Sequence, residues 1–198
     1  MVRSSEIKES IRSALDRENE LRESAYSTSR NLTILSRNHI SRIVNGEKMD
    51  GEDELDRARD AILRIRSSGE AIRHAFIDDS LAEFSEAKIL SDIVQNENLP
   101  APDQLKVSER DYILGAGDVI GELRRMALNS LLDDDIDKAK HYMKWMRDLF
   151  SLMEDLVYPG GLIPIKRKRD VARSLIDRTY GEIAIATVTS RVRNGDDG

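Results

Sequence analysis

The stretch that decides the fold spans residues 111–130 and reads DYILGAGDVIGELRRMALNS. It contains no proline, and Ser108 stands three positions before Asp111, which is the spacing of a capping box at a helix start. Successive helical residues turn by about 100°, so one face of this stretch is wholly apolar. That face holds Ile113, Ala116, Ile120, Leu123, Ala127 and, just beyond the stretch, Leu131. We therefore predict a long helix with this face in the core.

The opposite side of the same helix has an unusual composition. It holds Asp111, Leu114, Gly115, Asp118, Gly121, Glu122, Arg125 and Asn129. Gly115, Gly117 and Gly121 each cost about 1 kcal/mol relative to alanine in a helix interior. Two interpretations stay open: a surface face with incidental glycines, or a face that another part of the molecule approaches closely. In both, Asp118 and Glu122 lie one turn apart on the glycine-bearing side.

The composition favours a single all-α domain over residues 1–198. The chain has 198 residues, of which 39% are hydrophobic and 34% charged, a balance typical of long amphipathic helices. Cysteine is absent, which excludes disulfides and thiolate metal sites. No apolar run approaches the length of a membrane span and no signal-peptide pattern is present, so we expect a cytoplasmic protein without a membrane partner.

Hydrophobic periodicity and turn signals predict six helices in chain order. Their expected ranges are 4–44, 52–66, 68–95, the helix through 111–130, 136–157 and 165–192. The repeated capping-box pattern at residues 67–70 predicts a break there. The proline-containing segment 96–107 is expected to be a loop, and residues 192–198 a disordered polar tail.

The third helix raises a question about its acidic residues. Asp79, Glu83 and Glu86 recur at helical spacing on one stripe, which also carries the large apolar residues Phe76 and Leu90. Carboxylates are seldom buried unless they are paired or bind a metal. In the plain alternative the acids point to water and another face forms the core. That face would hold Ile77, Leu81 and Phe84.

The net charge of -6 does not indicate a simple basic nucleic-acid binder. Basic residues are nevertheless clustered in three places. The clusters are Arg37, His39 and Arg42, then Arg124 and Arg125, and then Lys166–Arg169. Each is interpreted as a solvated helix face or, alternatively, as a phosphate contact.

Carboxylates are the residues left to carry chemistry. The chain has three histidines, no Walker loop and no GxSxG motif, and GAGDVIG fits GxGxxG poorly. If the third helix packs antiparallel to the helix through 111–130, Glu83 and Glu86 could face Asp118 and Glu122 across one cavity. Such hard oxygen ligands suit Mg²⁺ or Mn²⁺ and the phosphate chemistry that these ions serve.

The stretch 111–130 resembles the corresponding helix of the translin family, and it is more similar to the factor X branch of that family than to translin itself. LAEFSEA at residues 81–87 is similar to the paired-glutamate segment of that branch. SRNLTILSRNHI at residues 29–40 and DIDKA at residues 135–139 extend the resemblance over most of the chain. The segment 96–107 is short for the factor X branch, and the basic C-terminal helix matches only loosely.

The resemblance implies a translin-like bundle of six to seven helices, assembled into a hollow homo-oligomer such as an octamer. It also implies binding of RNA or single-stranded DNA, and Mg²⁺-dependent endoribonuclease activity. Carried over by motif, the catalytic metal ligands are Glu83, Glu86 and Asp118, with Glu122 adjacent. The residues expected to contact RNA are Arg124, Arg125, Arg37 and Arg42.

Three functions compete at this point. The first is a Mg²⁺-dependent endoribonuclease that cleaves single-stranded or looped RNA. The second is a translin-like protein that binds RNA or single-stranded DNA without cleaving it. The third is an all-α nucleoside triphosphate pyrophosphohydrolase, a class that also places ExxE on one helix. Its second motif is ExxD, whereas here Asp118 and Glu122 are separated by three residues.

Overall fold

The architecture comes from a computed structural model that describes residues 4–47, 51–67 and 75–195. In these ranges the chain forms seven α-helices and no strand. The helices are α1 (Ser4–Val44), α2 (Glu52–Ser67), α3 (Ala75–Asn96), α4 (Pro102–Leu105), α5 (Glu109–Leu132), α6 (Ile136–Ser151) and α7 (Ile165–Gly195). The all-α prediction is confirmed. The break predicted at residues 67–70 and the first part of the predicted third helix fall largely on residues 68–74, outside the described ranges.

Two helix boundaries differ from the prediction for identifiable reasons. The predicted loop 96–107 contains α4, which begins at Pro102, where the fixed φ of proline suits a first helical position. α6 ends at Ser151 instead of residue 157, although apolar residues continue at helical spacing. Beyond this end the carbonyls of Glu154 and Leu156 accept hydrogen bonds from Arg169 of α7, at 3.3 and 3.1 Å. At the other end of α7 the helix extends to Gly195, past the predicted 192, and residues 196–198 are not described.

The helix α5 lies at the centre and packs against α3, α6 and α7, while α3 also packs against α1. Its predicted cap is confirmed, because the Asp111 amide donates a hydrogen bond to the Ser108 hydroxyl. The predicted core face is buried from Ile113 to Ala127, and Leu131 is half-buried.

The side of α5 predicted to lie opposite the core is also buried near the start of the helix. Leu114 and Gly115 are buried, Gly115 against the backbone of α3, and Asp111 is wholly inaccessible. Oδ2 of the Asp111 carboxylate accepts hydrogen bonds from Arg66 at 2.8 Å and from Ser108 at 2.7 Å, which partly compensate the burial of this group. Its Oδ1 is buried and accepts no hydrogen bond from the described residues. Only further along does this side reach solvent, at Asp118, Arg125 and Asn129. In the described ranges, no helix is both long enough and apolar enough to span a bilayer.

Candidate metal centre at the crossing of α3 and α5

Gly115 is where the backbones of α3 and α5 touch. A Cβ atom at Gly115 would lie 2.5 Å from the carbonyl oxygen of Ala82 and 2.7 Å from both the Glu86 amide nitrogen and Ser85 Cβ. Real Cβ atoms do not come so close, so only glycine allows this crossing. The prediction of a close approach is thus confirmed at Gly115. Gly121 fits the other interpretation, an incidental glycine, because a Cβ there would meet nothing within 4 Å in the described structure.

The crossing brings the two predicted acid pairs together. Burial of Glu86 and, in decreasing order, the negative charges of Asp118, Glu83 and Glu122 together raise the pKa of Glu86 to about 8. Such coupling requires that the two pairs, from different helices, lie near each other. We call Glu83, Glu86, Asp118 and Glu122 the acidic cluster.

The members of the acidic cluster differ in exposure. Glu86 is buried, Glu83 and Glu122 are half-buried, and Asp118 is exposed. One interpretation of α3 placed its acidic stripe in a buried site, and the other placed its apolar face in the core. Both are partly right, because the apolar face is buried in the core and Glu86 is buried as well. The reason is that α1 and α5 cover α3 from different sides. Asp79, the remaining acid of the predicted stripe, is exposed.

Basic side chains already pair with three carboxylates of the cluster. Glu83 accepts hydrogen bonds from the Arg37 guanidinium, the shortest from Nη2 at 2.6 Å, and these bonds raise the pKa of Arg37. Asp118 accepts a short hydrogen bond from the Lys168 ammonium. Oε2 of Glu122 lies 3.5 Å from Arg125, and this buried atom accepts no hydrogen bond from the residues that the structure describes.

The carboxylate oxygens of the cluster are the kind of ligand that a hard divalent cation prefers. In this structure, however, the side chains are not arranged around a single ion position. Within residues 4–47, 51–67 and 75–195, no three acidic or histidine side chains converge as ligands of one ion. Glu83 and Asp118 instead contact Arg37 and Lys168. All four donors are carboxylates, Glu86 is buried among like charges, and an oxygen of Glu122 lacks a donor. A cation such as Mg²⁺ would satisfy these groups.

The arginines predicted to bind RNA all form ion pairs within the chain. Arg124 binds Glu182 of α7 through two nitrogens, at 2.8 and 2.9 Å, and also donates to Thr179. It therefore connects α5 to α7. The other pairs are Arg37 with Glu83, Arg42 with Glu47 at 3.5 Å, and Arg125 with Glu122.

Lys168 is a site residue that the sequence did not identify individually. It belongs to the predicted basic cluster Lys166–Arg169, but its contact with Asp118 bridges 50 residues of sequence. A Cβ at Gly117 would lie 3.3 Å from Lys168 Cδ, so the bare helix surface at Gly117 leaves room for the lysine stem. The glycine run was a signal for a close neighbour, but it did not indicate which residue that neighbour would be.

The fold and site together define an all-helical protein with carboxylates from two helices gathered at a glycine crossing. Residues 72–179 match the model of the translin family, a segment that contains the whole acidic cluster. The chain belongs to the translin family.

Two curated relatives show how far the similarity extends. An uncharacterized protein of Methanocaldococcus jannaschii is 30% identical over 69% of this chain and 63% of its own length. Translin-associated protein X of Mus musculus is 26% identical over 72% of this chain and 64% of its own length. The chain thus spans just under two thirds of these relatives.

Solved structures give a fuller match. AfC3PO in complex with duplex RNA is 27% identical, with a TM-score of 0.81 over 91% of this chain and 96% of that one. The crystal structure of AfC3PO gives a TM-score of 0.79 at the same identity, over 91% and 97% of the two chains. Apo-NeC3PO, at 18% identity and a TM-score of 0.74 over 94% of this chain and 98% of that one, shares the fold.

Proposed function

We propose that this protein binds RNA and cleaves its phosphodiester bonds as a Mg²⁺- or Mn²⁺-dependent endoribonuclease. The observation that carries the proposal is the acidic cluster at the α3–α5 crossing, in which buried Glu86 is surrounded by three further carboxylates. RNA as the substrate class is supported by AfC3PO, a structural relative that has been solved with duplex RNA.

The residues of the cluster have separate parts in this proposal. Glu83, Glu86, Asp118 and Glu122 would hold the cation, which when bound supplies water activation and charge stabilisation at a phosphoryl oxygen. Glu86 is the most buried of the four and holds a proton near neutral pH, because its pKa is about 8. Its ionisation accompanies cation binding, since a carboxylate must be deprotonated to act as a ligand.

The ion pairs of the cluster favour a second candidate, an RNA-binding protein without nuclease activity. In that case Arg37 and Lys168 would be permanent counter-ions of Glu83 and Asp118, and the cluster would hold the four helices α1, α3, α5 and α7 together. The nucleotide pyrophosphohydrolase has less support, because the segment that matches the translin family contains both acid pairs.

A cleavage assay separates these candidates. End-labelled single-stranded RNA would be incubated with the wild-type chain in Mg²⁺ and in EDTA, with Asp118→Asn in parallel. The endoribonuclease gives internal cleavage only with Mg²⁺ and wild-type protein, whereas the binding protein retains RNA intact in all lanes. Release of pyrophosphate from nucleoside triphosphates without RNA cleavage would instead point to the third function.

We also propose that the protein assembles into a homo-oligomer, as the resemblance implied, with an octamer as the specific expectation. Large apolar side chains on the first part of α1 support this proposal. Ile7, Ile11 and Leu15 follow each other at one-turn spacing and are exposed by 50%, 55% and 59%. A second copy of the chain would cover them.

A further inference from the structure

A cavity of about 770 Å³ lies between the α6–α7 connection and the first turns of α7. Three cations line it: Lys166, Arg167 and Arg178. Asp170 is the only acid in its lining, and Tyr158 is its only aromatic residue. The rest of the lining is mostly apolar and includes Ile163, Pro164, Val171 and Leu175. The cavity thus combines an apolar surface with three cations on a chain with a net charge of -6.

These three cations are available to a ligand, unlike the arginines that the sequence had indicated. Within the described part of the chain, none of the three forms an ion pair, and all three are exposed. Their neighbours in the cluster Lys166–Arg169 are occupied: Lys168 binds Asp118, and Arg169 binds backbone carbonyls near the end of α6. The cavity thus holds three cations that have no counter-ion among the described residues.

The spacing of the cations fits an extended polyanion. Arg167 and Arg178 are eleven residues apart, which places them on one side of α7, about 16 Å from each other along its axis. That length spans several consecutive phosphates of one strand. The ring of Tyr158 is 53% exposed at the same cavity, and an exposed aromatic ring beside cations is suited to stacking an unpaired base.

The lining of the cavity is also adjacent in sequence to the lysine that pairs with the acidic cluster. Arg167 lines the cavity, and the next residue, Lys168, reaches Asp118. Arg167 and Lys168 point about 100° apart around α7, so the cavity and the lysine that contacts α5 are within one helical turn of each other, which gives a short path to the carboxylates. The other exposed arginines of the cluster region point to carboxylates and offer no such path.

We infer that the cavity lined by Lys166, Arg167, Arg178 and Tyr158 binds the backbone of single-stranded RNA and directs the strand to the acidic cluster. This inference rests on the proposed RNA binding and assigns that binding to a particular surface of the molecule. Arg167 and Arg178 contact phosphates, and Tyr158 stacks on one base. The four arginines named from the sequence have a smaller part in binding.

Fluorescence anisotropy tests the inference on the full chain, with a labelled unstructured 12-nucleotide RNA in EDTA to prevent cleavage. The variant Arg167→Gln/Arg178→Gln is compared with Lys138→Gln/Arg191→Gln, which removes two exposed, unpaired cations elsewhere. We expect the cavity variant to lose roughly tenfold in affinity at about 100 mM salt, with a salt dependence weaker by about two phosphate contacts. The control should bind like wild type.

The measurements distinguish a wrong location of the RNA-binding surface from a failure of the proposed RNA binding itself. If the wild-type chain binds RNA and both double variants weaken equally or not at all, the location is overturned while RNA binding stands. If the wild-type chain does not bind RNA, both are overturned. Tyr158→Leu gives a second measurement: several-fold weaker binding with an unchanged salt slope supports stacking, and unchanged affinity removes Tyr158 from the surface.

Discussion

The ammonium group of Lys168 binds the carboxylate of Asp118, and the stem of Lys168 runs over the bare backbone at Gly117. Lys168 also lowers the pKa of Glu86, opposing the neighbouring carboxylates. A lysine on α7 therefore places its positive charge where a divalent cation would bind. At the proposed metal site the two cations would compete for the same oxygen atoms.

Replacing Lys168 by methionine should tighten binding of a divalent cation. The variant keeps a stem of similar length and removes the competing charge, so we expect several-fold higher affinity for Mn²⁺, measured by electron paramagnetic resonance of the free ion. Lys168→Arg, which keeps the charge, should restore weak binding. Lys166→Met on the same helix is the matched control, and equal tightening in that variant would contradict a local effect of Lys168.

Asp118→Asn and Glu86→Gln should abolish RNA cleavage but not assembly. An amide is a neutral and poorer ligand for a hard ion, so the barrier should rise by several kcal/mol. Initial cleavage rates, together with the mass from light scattering, measure both properties. Full activity of a correctly assembled Asp118→Asn protein would leave the non-catalytic candidate as the better description.

Glu86 should make the stability of the metal-free protein depend on pH. Its pKa is raised to about 8 in the folded state from an ordinary value near 4.5, so the folded state holds the proton more tightly. Its contribution is complete below about pH 4.5 and is lost as the pH rises through about 8. In urea titrations we expect the free energy of unfolding of the wild type to fall by a few kcal/mol over this window. In Glu86→Gln the free energy of unfolding should fall less over the same pH range. If it falls equally in the wild type and the variant, Glu86 does not cause the pH dependence.

Gly115→Ala should destabilise the fold, because the new Cβ would collide with backbone atoms of Ala82 and Glu86. Forced repacking of this kind costs about 1–3 kcal/mol. Gly121→Ala is the matched control on the same helix: its Cβ meets nothing within 4 Å, so it should gain up to about 1 kcal/mol. Thermal unfolding of the two variants measures the contrast, and similar melting temperatures would refute the assigned crossing.

The exposed apolar stripe on α1 predicts an assembly larger than one chain. Light scattering at micromolar concentration should give a mass well above the 22.4 kDa of the monomer. Replacing Ile11 and Leu15 by glutamine should reduce that mass, since both side chains are more than half exposed in the single chain. A monomeric wild type would contradict the assembly proposal.

The local sequence pattern predicted most helices and the cap of α5, but it did not predict which side chains form ion pairs between helices. The periodicity and cap of α5 depend on neighbouring residues, and they appear as expected, as does the close approach at Gly115. The pairing of Arg124 with Glu182 and of Lys168 with Asp118 depends on how α7 packs across α5. Those residues are 58 and 50 positions apart, so no local spacing indicates that they meet.

The missing side chain at Gly115 also sets a dimension of the proposed site. Because Glu86 sits on the very backbone that Gly115 contacts, the separation between the two ligand-bearing helices is fixed by touching main chains and not by adjustable side chains. Mg²⁺ requires oxygen atoms at about 2.1 Å, whereas Ca²⁺ accepts about 2.3–2.6 Å. A methyl group at Gly115 would push α3 and α5 apart, and at the proposed site it would move Glu86 away from Asp118 and Glu122, which would favour the larger ion.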